Sequence, residues 1–355
     1  MNAPVLIMAG GTGGHIFPGI AVGRELRKRG IPVVWLGGKV GLETRLVPEA
    51  GFALECLDFS GVRGKGPMTL LLAPLRLLRA AFAARAVLKR LQPRSVLSMG
   101  GYAAAPGGIA AWMTRIPLVV HEQNRVPGFT NRLLVRFARR SLAGFSAGID
   151  GSEWTGNPVR EEIAAVPTPQ TRLAGREGPV RILVLGGSQG AQSLNVALPE
   201  VIRRRGERVI LQVRHQCGAR NLERTRQIYA AASIDADVVP FIDDMAAAYA
   251  WADLVVCRAG ALTLAELCAA GVAAVLVPYP QAVDDHQTRN AEVLVEAGAA
   301  RLVAEGDGFI KRLGNCLDEL DRDRPHLLAM ASRARALARP DASRRIADVC
   351  LEVAA

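Results

Sequence analysis

The sequence predicts an α/β protein of two facing Rossmann-like domains, each built on a parallel sheet. Three observations carry this. A short apolar run leads into a glycine-rich turn, a helical pattern and a second apolar run, and the series occurs twice, half a chain apart. The remaining apolar runs are short and bounded by Gly, Pro or charge, as strands covered on both faces are. Aromatic residues make up only 5% of the 355 residues and half are hydrophobic, which suits two helix-covered sheets better than a β-sandwich.

In order, residues 4–9 form the first strand and GGTGGH at 10–15 the turn; a helix then ends near Gly30, and residues 32–36 form the next strand. Strands at 95–99 and 118–121 follow. In the second half, residues 181–185 run into GGSQGA at 186–191, a helix toward Arg205 and a strand at 209–213; strands at 238–241, 254–257 and 274–278 come after it. The stretch 148–178 has the weakest pattern and is rich in Pro, Gly and Thr, so the boundary falls there, near GNPVR at 156–160. The expected division is 1–159, 160–340, and a last helix at 341–355 that follows Pro340 and packs back on the first domain. Ligands of such sheets bind beyond the carboxyl ends of the strands, which places a reaction in the cleft.

Several classes are excluded. The six cysteines form no C-x-x-C pair and read as reduced core thiols of a cytoplasmic protein. His121-Glu122 lacks a second histidine at helical spacing, so no zinc site is expected. No basic residue precedes the first apolar run, so it reads as a strand and not a signal peptide. Residues 95–114 carry no charge, but Gly100, Gly101, Pro106, Gly107 and Gly108 make a strand, loop and helix a better reading than a membrane span.

Charge is uneven. Residues 1–160 hold 21 Lys/Arg against 8 Asp/Glu, and the remainder 23 against 25, so the first half alone attracts an anionic partner. Residues 68–91 show where. At about 100° per residue, Leu77, Ala81, Ala84, Leu88 and Leu91 share one helix face, and Leu71, Leu75, Leu78 and Phe82 share another. A surface helix needs one apolar face for its own core. The second, edged by Arg76, Arg79, Arg85 and Lys89, fits anionic lipid, with Trp112, Arg136, Arg139 and Arg140 extending it. Burial of both faces is the alternative.

A glycine turn between strand and helix aims backbone N–H groups at an approaching anion. GGSQGA fits, with Ser188 as a further donor; a tight turn with Ser188 as an ordinary N-cap fits equally. GGTGGH lacks the third glycine of a dinucleotide fingerprint and no Gly-Lys-Ser/Thr occurs, which argues against NAD and ATP. After the strand at 254–257, Gly260 turns the chain into a helix. Thr263 and Glu266 have capping-box spacing. The functional alternative has the Leu262 and Thr263 amides on a diphosphate and Glu266 on ribose hydroxyls.

These residues carry a resemblance that spans essentially the whole chain. GGTGGH, MGGY at 99–102, HEQN at 121–124, GNPVR, GGSQGA, FIDDM at 241–245, RAGALTLAE at 258–266 and DHQTRNA at 285–291 occur in order. The chain resembles the MurG family, bacterial UDP-N-acetylglucosamine:lipid I N-acetylglucosaminyltransferases of GT-B architecture. The resemblance implies Ile242 by the uracil, Glu266 on the ribose, and Ser188, Leu262 and Thr263 near the diphosphate. It implies Ala261 and Gln287 near the sugar, with Arg160, Asn124 and the loop Thr12, Gly13 and Gly14 completing the donor site; His286 is not carried over.

The reaction so implied inverts C1 of the sugar and makes a β-1,4 bond to the muramoyl 4-hydroxyl of lipid I, giving lipid II for peptidoglycan. It needs a base on that hydroxyl and help for departing UDP. His15 is the candidate base, since imidazole suits the task. A purely hydrogen-bonding His15 is the alternative, and Glu122 the other candidate. Helix N-termini and Arg160 can meet the leaving-group charge, so no metal or other cofactor is expected; D-x-D at Asp235–Asp237 and Asp321–Asp323 lies in polar, solvated stretches. The expected partners are UDP-N-acetylglucosamine, lipid I, an anionic membrane at the cytoplasmic face of the bacterial inner membrane, and other cell-wall synthesis and division proteins, but no nucleic acid. The rivals are a UDP-sugar epimerase of the same architecture and a non-enzymatic membrane or nucleic-acid binder.

Overall fold

The structure, a computed structural model, describes residues 3–59, 72–146, 148–187, 190–206 and 211–354. The chain divides into two compact units, Met1–Val159 with Arg339–Ala355, and Arg160–Ala338.

The first unit holds a seven-stranded parallel sheet: β1 Val5–Ala9, β2 Val33–Gly38, β3 Ala53–Leu57, β4 Ser95–Gly100, β5 Leu118–Glu122, β6 Arg140–Ala143 and β7 Glu153–Trp154. Their spatial order is β3-β2-β1-β4-β5-β6-β7. Helices α1 Gly13–Lys28, α2 Glu43–Glu49, α3 Ala73–Leu91, α4 Ala104–Thr114 and α5 Phe129–Leu134 cover it. β1 is apolar at every position because both its faces are buried. Val5, Ile7 and Ala9 pack with Ile20 and Leu26 of α1 and with Ile346, Val349 and Cys350 of the C-terminal helix, while Leu6 and Met8 pack with Leu88 of α3 and Ala110 of α4.

The second unit holds a six-stranded parallel sheet in the order β10-β9-β8-β11-β12-β13. Its strands are β8 Val180–Leu185, β9 Leu211–Gln216, β10 Asp237–Val239, β11 Leu254–Cys257, β12 Ala273–Leu276 and β13 Ala300–Leu302. Its helices are α6 Glu161–Ala164, α7 Pro169–Leu173, α8 Gln192–Arg205, α9 Leu222–Ala231, α10 Met245–Trp251, α11 Ala261–Ala270, α12 His286–Glu296, α13 Phe309–Leu320 and α14 Arg324–Ala336; α15 Ala342–Glu352 returns to the first unit. Ile182 and Val184 pack with Leu194 and Leu198 of α8 and Leu313 and Leu317 of α13.

Some expectations need correction. β3, β6, β7 and β13 were not anticipated. All lie at or near a sheet edge, where a strand is not buried all round and its apolar run is broken, as in ALECL at β3. Four cysteines are buried, but Cys56 is exposed and Cys316 only partly covered. The D-x-D acids are not merely solvated: Asp237 pairs with Arg214 at 2.7 Å, Asp321 pairs with Arg205 at 3% exposure, and Asp323 caps α14. On α3, Ala81, Ala84 and Leu88 are buried, whereas Leu75, Leu78 and Phe82 are 65%, 51% and 53% exposed, so the second face is not buried. Among the described residues no helix is long and apolar enough to cross a membrane. Leu71 lies outside them.

Candidate functional site

Each sheet has one point where its connections diverge to opposite sides, between β1 and β4 in the first unit and between β8 and β11 in the second. Loops leaving such neighbours part and leave a crevice at the carboxyl end, the usual ligand position of open parallel sheets. Both glycine turns lie there.

In the first unit the turn after β1 meets the turn after β4. Gly101 adopts φ +87°, and a Cβ there would stand 2.3 Å from the Gly10 carbonyl oxygen, so only glycine allows the approach. The turn is held from beneath by Glu43, a buried carboxylate that accepts from the Gly11 and Gly38 amides, each at 3.1 Å, and from the Tyr102 hydroxyl. Burial first, and then the Glu43 carboxylate, pushes the Tyr102 phenol well above its usual value. The Gly11 amide is thus unavailable to an outside anion.

His15 stands in the first turn of α1. Its Nδ1 lies 3.0 Å from Gln123 Oε1, and its ring rests against Gly100, whose Cβ would sit 3.1 Å from both Nδ1 and Cε1. Gln123 is buried, and its Nε2 reaches His121 Nδ1 and the His121 carbonyl, each at 3.1 Å. His121 Nε2 meets the Gly156 carbonyl at 2.9 Å, and burial lowers its pKa to about 4. Glu122, 1% exposed, takes four donors: Asn124 N at 3.0 Å, Asn124 Nδ2 at 3.2 Å, Gly128 N at 3.1 Å and Asn131 Nδ2 at 3.0 Å. Four donors fill a carboxylate's lone-pair positions, so Glu122 is built to fold residues 124–131 around itself.

In the second unit Gly186, Gly187, Gly190, Ala191, Ile242, the segment 261–266 and Gln287 all follow carboxyl ends of parallel strands, so they share one edge of the sheet. Two amide side chains brace that edge. Gln216 accepts from Gly187 N at 3.1 Å and donates to the Gly187 and Pro240 carbonyls at 2.9 and 3.1 Å, tying the glycine turn to the strand end before Ile242. Gln287 accepts from Ala259 N at 3.2 Å and Tyr279 N at 2.9 Å, which leaves its NH₂ group as the donating end. Arg258 is likewise engaged, with Ser193, Glu305 and the Val277 and Pro278 carbonyls.

Three expectations change here. The amides of Gly186, Gly187 and Gly190 are bound to Gln216 and to the turn itself, so the GGSQGA glycines do not offer a bare phosphate cradle. The N-cap of α8 is Ala191 and not Ser188; Ser188 itself lies outside the described residues. The capping box also fails, because α11 begins at Ala261 with Gly260 as N-cap and no side-chain cap. Thr263 and Glu266 therefore sit inside the helix. The first-turn amides of Ala261, Leu262 and Thr263 precede the first helical hydrogen bond, from Leu264 N to the Gly260 carbonyl. Glu266 Oε1 pairs with Arg160 Nη2 at 3.1 Å, and its Oε2 accepts from the buried Tyr249 hydroxyl at 3.0 Å. Burial raises the Glu266 pKa, against the opposing pull of Arg160.

The structure thus groups Ile242, Ala261, Leu262, Thr263, Glu266, Arg160 and Gln287 in one unit, and Thr12, Gly13, Gly14, His15, Glu122 and Asn124 in the other. Sequence reasoning missed Glu43, Gln123, Gln216 and Tyr249. HEQN contained Gln123, but nothing local marks the other three.

Residues 5–143 match the glycosyltransferase family 28 N-terminal domain, and residues 181–346 the family 28 C-terminal domain. The chain belongs to glycosyltransferase family 28. It is 59% identical, over 99% of its own length and 82% of the relative's, to a protein of Xanthomonas campestris pathovar campestris strain 8004. That relative is named UDP-N-acetylglucosamine–N-acetylmuramyl-(pentapeptide) pyrophosphoryl-undecaprenol N-acetylglucosamine transferase. A relative of the same name from Xylella fastidiosa strain M12 is 57% identical over 98% of this chain and 96% of its own. Among solved structures, Acinetobacter baumannii MurG superposes with a TM-score of 0.87 at 40% identity, covering 98% of this chain and 99% of that one. This family 28 member accordingly has the GT-B pair of Rossmann-like domains and is a hexosyltransferase.

Proposed function

We propose that this chain transfers N-acetylglucosamine from UDP-N-acetylglucosamine to the 4-hydroxyl of the N-acetylmuramoyl sugar of lipid I, with inversion at C1, giving lipid II. The observation that carries this is the 59% identity over 99% of the chain with a transferase of that name. The site geometry supports the following reading of its residues. The Leu262 and Thr263 amides, at an uncapped helix start, and the Arg160 guanidinium receive the diphosphate charge as the C1–oxygen bond breaks. Glu266 accepts from ribose hydroxyls, Ile242 lies against uracil, and the Gln287 NH₂ group donates to the sugar beside Ala261. In the first unit, His15 takes the proton from the attacking hydroxyl, because the lone-pair positions of Glu122 are already filled. Thr12, Gly13, Gly14 and Asn124 line its approach. On this reading UDP departs without metal assistance.

Incubation with labelled UDP-N-acetylglucosamine and a lipid I analogue tests it. The expected result is a labelled β-1,4 disaccharide lipid, undiminished by a chelator, with the donor unchanged when acceptor is omitted. Conversion of the donor without acceptor indicates an epimerase and overturns the proposal.

The reaction belongs at the cytoplasmic face of the inner membrane. Leu75, Leu78 and Phe82 form an exposed apolar stripe on α3, beside Arg76 and Arg79. Next to it, Arg85, Trp112, Met113, Arg115, Phe137 and Arg139 line a groove of about 840 Å³. Apolar stripe and basic rim together match an anionic bilayer surface.

A further inference from the structure

We infer that Gln123 is a positioning residue that fixes which nitrogen of His15 carries the proton. The inference rests on the reading of His15 as the base and deepens it.

The Gly156 carbonyl can only accept, so His121 Nε2 must be the protonated nitrogen at 2.9 Å. Burial holds His121 neutral, which leaves its Nδ1 with a lone pair. That lone pair, and the His121 carbonyl, both face Gln123 Nε2 at 3.1 Å, so the amide nitrogen of Gln123 is turned toward His121 and cannot flip without setting two acceptors against its oxygen. Gln123 Oε1 is then the atom 3.0 Å from His15 Nδ1, and an amide oxygen only accepts. His15 Nδ1 therefore holds the proton, and Nε2 carries the lone pair that a base needs. Asn157 Nδ2 fastens the Gln123 carbonyl at 2.9 Å, and Gly100 leaves room for the His15 ring. One buried carbonyl thus sets the tautomer of an imidazole two side chains away.

Free imidazole populates both tautomers, and only one is a base at Nε2. A side chain that pins it acts on kcat and not on substrate affinity. The test is nitrogen NMR of the full-length enzyme with labelled histidine, the His15 resonances being identified with a His15→Gln variant. In the wild type, Nδ1 is expected as the N–H type and Nε2 as the lone-pair type. In Gln123→Met the His15 signals move toward a tautomer mixture. In the same variant kcat falls about 10- to 100-fold, with the KM of UDP-N-acetylglucosamine and of a lipid I analogue little changed. A wild-type His15 protonated at Nε2, or a Gln123→Met enzyme with the wild-type tautomer and rate, overturns the inference; the wild-type spectrum decides even if the variant folds poorly. Should His15→Gln keep full activity while the wild type shows the expected tautomer, the base reading falls and the tautomer assignment stands.

Discussion

Arg160 donates from Nη2 to Glu266 Oε1 at 3.1 Å, joining residues 106 apart in the chain. The pair, with the Tyr249 hydroxyl on the other oxygen, keeps a half-buried carboxylate hydrogen-bonded beside an open helix start. Such a carboxylate recognises hydroxyl donors and rejects ligands lacking them, because its lone pairs would then be stranded.

Glu266→Ala is therefore expected to weaken UDP binding by about 10- to 100-fold, at roughly 1.5–3 kcal/mol per hydrogen bond to a charged group. The preference for UDP over its 3′-deoxy analogue should shrink in the same variant. Stability should fall as well, by roughly 1–3 kcal/mol, since the buried Tyr249 hydroxyl loses its acceptor. Calorimetry with both nucleotides and a thermal melt check this. Equal affinities for the two nucleotides in the wild type would dismiss the ribose role.

Gly100→Ala probes the other unit. The residue has φ +95°, and the new Cβ would press on the His15 ring at 3.1 Å. Left-handed backbone at a non-glycine residue costs of order 1–3 kcal/mol. Displacement of a reacting side chain by a fraction of an ångström should lower kcat by about 10-fold or more. Steady-state kinetics set against melting temperature separates the two effects. An unaltered kcat in a folded variant would show that His15 placement does not matter to the reaction.

The second unit carries a pH signature of its own. His215 is buried between Tyr229 and Asn195, with both ring nitrogens 2.9 Å from their partners, and burial lowers its pKa to about 4. In the unfolded chain it titrates near 6.5. Between these values the unfolded state binds the extra proton, so the contribution of His215 to stability is constant above about pH 6.5 and falls as pH drops toward 4. The full effect is roughly 3 kcal/mol, and His121 adds a similar term in the first unit. Melts from pH 7.5 to 4.5 should show a steeper decline for the wild type than for His215→Gln. Parallel curves would refute the assignment.

Legibility in the sequence followed the geometry of burial. The strand–glycine–helix series was readable because β1 and β8 are covered on both faces and each is followed by a turn packed close on backbone of its own unit, Gly10 against Gly101 in the first and Gly190 against Cys217 in the second, which leaves apolar runs and glycines behind. The edge strands left no such trace. The Thr263 and Glu266 spacing misled because spacing alone does not say where a helix begins; Gly260 starts it a turn earlier. Glu43 was invisible, since its partners Gly11, Gly38 and Tyr102 come together only through the order of the sheet. Gln123 stood within a recognised motif, yet its role depends on the orientation of His121, set by the carbonyl of a residue 35 positions away.

The exposed stripe on α3 should govern attachment to lipid. Leu75, Leu78 and Phe82 are all more than half exposed, and full burial of such side chains is worth about 1.5–3 kcal/mol each. Replacing the three by Ser should weaken partition onto anionic vesicles by at least about 10- to 100-fold, allowing for partial insertion. Arg79→Gln with Arg85→Gln should act differently, removing about 1 kcal/mol per charge on anionic vesicles, nothing on neutral ones, and less as salt rises. Both variants should keep full transfer to a short-chain, water-soluble acceptor, because all five residues lie on α3, which packs mainly against α4 and β3. Vesicle sedimentation at two lipid compositions and two salt concentrations distinguishes the contributions. If the triple Ser variant binds anionic vesicles as tightly as the wild type, the stripe is not the docking face, and the basic groove around Trp112 must act without it.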